Sequence, residues 1–248
     1  MKSLKSVCLM LIFIISAKTY AQNIFQIQNP IYSPESINSI NFINETGWVF
    51  GNKGIVLKST NGGTNFIQQV LPINSNIKGQ SLVNAQICYV YDDSGRIFRT
   101  LNGGFNWVLS SIFPSRVNSL FFINSEKGFA SFHNIIGLTT NSGLNWFFIE
   151  PDSTDIYEFK DLFFVDTDTG YLGAINVSNN YAFLFKTTDS GLSWNKFNTG
   201  VDALKMNNLY FIGNNGWCAG DRFGKLYTMK TTNGGKNWSE SYLPNNIS

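Results

Sequence analysis

Thr100-Leu-Asn-Gly-Gly-Phe-Asn-Trp107 is one of five versions of a single eight-residue segment. The others are Ser59-Thr-Asn-Gly-Gly-Thr-Asn-Phe66, Thr139-Thr-Asn-Ser-Gly-Leu-Asn-Trp146, Thr187-Thr-Asp-Ser-Gly-Leu-Ser-Trp194 and Thr231-Thr-Asn-Gly-Gly-Lys-Asn-Trp238. Their starts lie 41, 39, 48 and 44 residues apart. Such a period matches the unit of about 40–50 residues that builds one four-stranded propeller blade. A hydroxyl stands first in each copy, and Asn61, Asn102, Asn141, Asp189 or Asn233 stands third. Gly63, Gly104, Gly143, Gly191 or Gly235 is fifth, and Phe66, Trp107, Trp146, Trp194 or Trp238 is last. An Asn or Asp side chain bonds nearby backbone amides in an Asx-type turn, and a glycine supplies φ > 0. The hydroxyl can bond across the turn, and the aromatic opens the next strand and buries a large apolar surface between sheets. The pattern predicts hairpin corners, structural in role and not catalytic.

The rest of the unit recurs as well. A short apolar strand and a polar turn lead to Gly plus an aromatic: Ile40–Ile43 to Gly47-Trp48, Leu120–Ile123 to Gly128-Phe129, Leu162–Val165 to Gly170-Tyr171, and Leu209–Ile212 to Gly216-Trp217. The second copy is degenerate, with Leu82-Val83 and Ile87-Cys88-Tyr89 and no Gly-aromatic pair. A third strand precedes each corner, as in Ile55–Lys58 and Arg96–Arg99, and a fourth starts at the corner's aromatic. Called a, b, c and d, these strands have ordinary lengths of about 4–6 residues, and no window sustains a helical period. The expected units cover approximately residues 38–72, 80–114, 117–151, 160–200 and 205–244. Asn23–Pro30 mimics a d strand without its blade. An all-β propeller of about five four-stranded blades follows, closed into a ring, with an open arc of a seven-bladed propeller as the alternative.

The five segments resemble Asp-box (BNR) repeats. The longer unit, as in Val117-Asn-Ser-Leu-Phe-Phe-Ile-Asn-Ser-Glu-Lys-Gly-Phe129 followed by Thr139–Trp146, resembles the photosystem II stability/assembly factor-like propeller family. The resemblance spans residues 23–243 and implies a propeller with an assembly-factor-like role. The same repeat occurs in sialidases, xyloglucan-cleaving enzymes and sorting receptors. In the sialidase relatives the active site lies on the face of the d-to-a and b-to-c loops.

Composition bounds the function. Of the 248 residues, 43% are apolar and 14% charged, and Lys+Arg 18 against Asp+Glu 16 leaves +2, no footprint for nucleic acid. One His, His133, makes a His-based metal site or a Ser/His/Asp triad improbable, and no Gly-rich phosphate loop or Cys pair of metal-ligand spacing exists, so no cofactor and no metal are expected. Two lysines in Met1–Lys5, an apolar run Val7–Ala17 and Thr19-Tyr20-Ala21 read as a signal peptide over residues 1–21, cleaved after Ala21. That run is too short to span a bilayer. Residues 22–248 are then one propeller domain, secreted or periplasmic, with Cys88 and Cys218 as buried free thiols.

Loops carry function on a rigid scaffold. The d-to-a and b-to-c loops bring Lys53, Asp92, Asp93, Arg116, His133, Glu150, Asp152, Asp155, Asn176, Tyr181, Asp221 and Arg222 to one face. Asp92, Asp93, Arg116, His133, Tyr181, Asp221 and Arg222 are the candidate binding residues there. A glycosidase needs two carboxylates about 5–10 Å apart. Asp92-Asp93 and Asp152/Asp155 are the acidic positions, read as solvated turn acids. The sialidase resemblance requires three converging arginines, and only Arg96, Arg99, Arg116 and Arg222 exist. Lys58, Arg99, Lys186 and Lys230 recur just before a corner and read as solvated strand ends. The expected function is a non-catalytic binding or assembly scaffold for a protein or glycan partner, with a carbohydrate-active hydrolase as the alternative.

Overall fold

The structure is a computed structural model that describes residues 35–202, 205–222 and 225–242. For 198–202, 205–207, 221–222, 225–226 and 241–242 only the backbone is described. The expected signal peptide, the Asn23–Pro30 strand and the last residues lie outside the described residues.

Twenty strands form five four-stranded antiparallel sheets, each made of four consecutive strands. The first holds β1 (Ile37–Ile43), β2 (Thr46–Gly51), β3 (Val56–Ser59) and β4 (Ile67–Gln69). The second holds β5 (Ile77–Leu82), β6 (Cys88–Asp92), β7 (Arg96–Thr100) and β8 (Val108–Ile112). The third holds β9 (Ser119–Phe122), β10 (Gly128–Ser131), β11 (Ile136–Thr139) and β12 (Phe147–Ile149). In the fourth are β13 (Tyr157–Phe164), β14 (Gly170–Asn176), β15 (Tyr181–Thr187) and β16 (Asn195–Asp202). The fifth has β17 (Lys205–Ile212), β18 (Asn215–Arg222), β19 (Lys225–Thr231) and β20 (Ser239–Tyr242). These are the blades of a β-propeller, with almost no helix. The a strands β1, β5, β9, β13 and β17 contact one another in succession. The b strands β2, β6, β10 and β14 are buried along nearly their whole length, whereas the short d strands β4, β8 and β12 are mostly exposed edges.

All five corners share one hydrogen-bond set. The Thr100 hydroxyl donates to Asn102 Oδ1 at 3.1 Å and accepts the Gly104 amide at 2.8 Å, while Asn102 Oδ1 accepts the Asn106 amide at 2.9 Å. Ser59, Thr139, Thr187 and Thr231 repeat this, accepting the amides of Gly63, Gly143, Gly191 and Gly235 at 2.9–3.0 Å. Two successive corner positions lie in the left-handed region, not one. At the fourth position Ser142 and Ser190 sit at φ 62 and 60, and at the fifth Gly191 reaches 82.

Each junction between blades buries an aromatic of the b strand beneath the following blade. Tyr89 stacks on Phe122 with centroids 3.4 Å apart, Phe129 on Phe164 at 4.5 Å and Tyr171 on Phe211 at 3.6 Å. The corner aromatic of the following blade closes over the same place: Trp107 meets Trp48 edge-on at 5.7 Å, and Trp194 meets Phe129 at 6.5 Å. The corner glycine completes the fit, since a Cβ on Gly104 would sit 2.4 Å from Trp48 and one on Gly191 2.3 Å from Phe129.

The degenerate second unit has a local cause. In the other blades the glycine opening strand b pairs across the sheet with a Phe of strand a: Gly47 with Phe42, Gly128 with Phe122, Gly170 with Phe164 and Gly216 with Phe211. The Phe ring lies over the glycine, so that a Cβ on Gly128 would meet it at 2.5 Å. In the second blade the partner is Leu82, and Cys88 fits opposite it. Cys88 and Cys218 are buried free thiols.

Candidate binding face

The b-to-c turns and d-to-a loops meet at one end of the blades and are tied to each other. Asp92 ends β6 and is buried, a correction to its reading as a solvated turn acid. It accepts hydrogen bonds from Ser75 Oγ at 2.6 Å, Arg96 Nε at 2.7 Å, and the Arg96 and Ser94 amides at 2.9 and 3.0 Å. Burial pushes its carboxyl up, but hydrogen bonds from Ser75, Arg96 and Ser94 outweigh that and hold it below the usual carboxylate range. Asp93 accepts from Asn76 Nδ2 at 2.7 Å, and Asn76 Oδ1 accepts the Lys53 amide at 3.2 Å, so the turns of the first two blades are joined.

Between the third and fourth blades, Asp152 and Asp155 both receive the Tyr157 hydroxyl, at 3.3 and 3.2 Å. Lys196, on β16, pairs with Asp152 and donates to the Tyr157 oxygen at 3.0 Å. Hydrogen bonds from Lys196 and Thr154 hold Asp152 well below the usual range, and the same pairing raises Lys196. Asp152 is thus held by Lys196, Thr154 and Tyr157 as an anchor between the loop and β16. Glu150 accepts from Asn134 Nδ2 at 2.9 Å, and Asn134 Oδ1 accepts the Tyr157 amide at 2.9 Å. Asn176 is buried and caps its own turn through the Ser178 and Asn179 amides.

Three of the candidate residues remain exposed on this rim. Arg116 lies in the loop before β9, His133 in the turn after β10 and Tyr181 at the start of β15. Ile156 and Val177 are exposed as well, joined to each other by the Val177 amide on the Ile156 carbonyl at 2.9 Å. Asp221 and Arg222 end β18, where only the backbone is described. The arginines do not converge: Arg96 is paired to Asp92 at one end of β7, and Arg99 NH1 donates to Ser142 O at the other, at 2.7 Å. Among the described residues no three His, Cys, Asp or Glu side chains gather to hold a metal, and no helix is long and apolar enough to cross a membrane.

The opposite end carries the corners, and here a second expectation is corrected. Lys58 Nζ reaches the next blade's corner carbonyl, Gly103 O, at 2.7 Å, and Arg99 does the same to Ser142 O. Burial lowers the Lys58 amine from its ordinary value. Both residues fasten one blade to the next and are not solvated strand ends. Lys186 lies near Gly234, the equivalent position of the fifth blade. A pocket of about 220 Å³ on this side of the first blade is lined by Lys58, Thr60, Asn61, Asn65, Ile67 and Gln69, with no carboxylate.

The same architecture recurs in solved structures. A structure of YCF48 bound to D1 peptide superposes with a TM-score of 0.65 and 18% identity, covering 87% of this chain and 70% of that one. The GH74 enzyme of Niastella koreensis gives 0.68 and 14% over 83% of this chain, and the GH74 xyloglucanase of Xanthomonas campestris gives 0.63 and 11% over 82%. The likeness is one of fold. The chain spans 38% of each GH74 chain. No protein-family model and no curated protein matches it. The propellers it resembles therefore include a peptide binder and glycoside hydrolases, and the choice between them rests on the rim itself.

Proposed function

We propose that the protein is an exported, non-catalytic scaffold that binds a protein segment across the rim of its third and fourth blades, in an assembly-factor-like role. One observation carries this: the rim acids whose side chains are described are engaged within the loop network, while a cation, an imidazole and an aromatic stay exposed. Asp92 serves Arg96 and Ser75, Asp93 serves Asn76, Glu150 serves Asn134, and Asp152 serves Lys196. A glycosidase needs one carboxyl free to give a proton and a second free to attack or to activate water. Arg116, His133 and Tyr181 instead offer an exposed guanidinium, imidazole and phenol on loops and strand ends of the third and fourth blades, which also expose apolar Ile156 and Val177. Such a set suits an extended peptide with a carboxylate and a hydrophobic side chain. The YCF48 structure with a peptide bound supports a peptide over a glycan.

The test is capture of a partner from the native cell envelope by the mature chain, repeated with Arg116→Ala/His133→Ala/Tyr181→Ala. The triple variant should melt like the wild type and lose the partner. Unchanged capture by that variant removes the rim from the account. Release of reducing sugar from xyloglucan or a sialoside, abolished by Asp155→Asn, would establish the hydrolase instead.

A further inference from the structure

Among the described blades, the first and the fifth each expose side chains whose counterparts the internal junctions bury. At every internal junction the earlier blade presents its b-strand aromatic, and the later blade covers it with an a-strand side chain and a corner. Trp48, Tyr89, Phe129 and Tyr171 are fully buried in this way. In the fifth blade the counterpart is Trp217, which is 39% exposed. Tyr210 and Ile212, on the same side of that blade, are 53% and 61% exposed. The covering side chains Leu120, Leu162 and Leu209, and Phe122, Phe164 and Phe211, are buried in their junctions. In the first blade their counterparts are Ile40 and Phe42, which are 61% and 37% exposed. Closure of the fifth blade on the first would bury both sets.

Polar groups repeat the mismatch. Ser119 Oγ and Asp161 Oδ2 accept the unpaired inner-edge amides of the following blade, Leu162 N at 3.2 Å and Leu209 N at 2.8 Å. The fifth blade carries Asn208 at that register and it is exposed. The amide in register on the first blade is that of Ile40. Lys58 and Arg99 reach the next blade's corner carbonyl, and Lys230 occupies the same place in the fifth blade, exposed above its own Trp217 ring at 5.8 Å.

We propose that the fifth blade of one chain docks on the first blade of a second copy, head to tail, and continues the propeller junction between molecules. Trp217 then stacks on Phe42 of the next copy as Tyr171 stacks on Phe211. Asn208 accepts the Ile40 amide, and Lys230 reaches the Gly62 carbonyl as Lys58 reaches Gly103. A second copy is the occupant because each face finds its complement, group for group, at the other end of this chain. Exposed aromatic faces of this kind on a soluble protein mark an interface. A heterologous contact of this kind propagates into a ring or filament.

Sedimentation of the mature chain over a concentration series tests this. The wild type should show a mass that climbs with concentration. Ile40→Glu blocks one face and Ile212→Glu the other, both at positions 61% exposed. Each variant alone should be monomeric, and an equimolar mixture should form a 1:1 dimer and nothing larger, because one sound junction remains. A wild type that stays monomeric overturns the proposal, whether residues 22–34 cover the faces or blades one and five close together. Oligomers that persist in both variants, or a mixture that stays monomeric, overturn it equally.

Discussion

Asp161 Oδ2 accepts the amide of Leu209 at 2.8 Å, joining the fourth blade to the fifth. Its other oxygen accepts Ser119 Oγ at 2.9 Å, from the third blade. One carboxylate therefore holds three blades. An amide side chain has only one accepting oxygen, so Asp161→Asn either leaves the Leu209 N–H without its partner or forces the Ser119 hydroxyl to give up its donated bond and accept from the new amide nitrogen. We expect a loss of about 1–3 kcal/mol, measured by urea unfolding.

The same carboxylate sets a pH signature. Burial raises Asp161, and the hydrogen bonds from Leu209, Ser119 and Leu162 only partly offset it. The folded state then holds this proton more tightly than the unfolded chain, so the stability it contributes falls as pH rises from the ordinary carboxylate value through the raised one. Asp92 is lowered, so its contribution is full above the ordinary value and is lost as pH falls through the lowered one. Between about pH 3 and pH 7 the gap between wild type and Asp161→Asn should narrow with rising pH, and the gap to Asp92→Asn should widen. Parallel curves for the two variants would contradict both assignments.

Corner glycines should differ by what faces them. Gly62 has φ 66 with open space around it, so Gly62→Ala carries only the left-handed penalty of about 1–2 kcal/mol. Gly191 has φ 82 and its added Cβ would press into Phe129, buried in the next junction, which adds about 1–3 kcal/mol of overpacking. Equal losses in denaturant titration would mean that the junction yields freely at Phe129.

Much of this architecture was legible because it is local. The hydroxyl, Asn or Asp, and Gly of each corner bond within five residues of one another, so spacing alone exposes the turn. The roles of Lys58 and Arg99 were not, because their acceptors lie 45 and 43 residues away on a neighbouring blade. A basic residue at a strand end looks the same whether it meets water or a carbonyl. Only its recurrence before the corners hinted at a shared task. Asp92 was misread for a related reason: although Ser94 and Arg96 lie within four residues, the burial comes with Ser75, 17 residues away on a loop that the fold brings over it. The exposed Arg116, His133 and Tyr181 were found from loop position, whereas their freedom from the acid network depends on Asn76, Asn134 and Lys196, which no local pattern marks.

The interblade cations offer a graded comparison. Lys58→Met and Arg99→Met each remove a charged donor from a buried carbonyl, and thermal or urea unfolding should register about 1–2 kcal/mol for each. Lys230→Met removes the equivalent side chain where no described blade follows, and should change monomer stability by less than about 0.5 kcal/mol. If Lys230→Met proved as costly as the other two, the fifth blade would be engaging a carbonyl of its own chain.

The two thiols provide a check on packing that is independent of the loops. Burial pushes the Cys218 thiol up to about 12 and raises Cys88 further still. The thiolate is the reactive form, so a thiol raised by burial supplies little of it near pH 9 even when a reagent reaches it. Native protein should resist iodoacetamide at Cys88 and Cys218 and show modification of both by mass spectrometry only after denaturation. Cys88 lies beneath the first junction and Cys218 faces the fourth, among Leu209, Tyr227 and Met229. Rapid native labelling confined to Cys218 would therefore show the last blade swinging away from the fourth, and labelling of Cys88 would show the first junction opening.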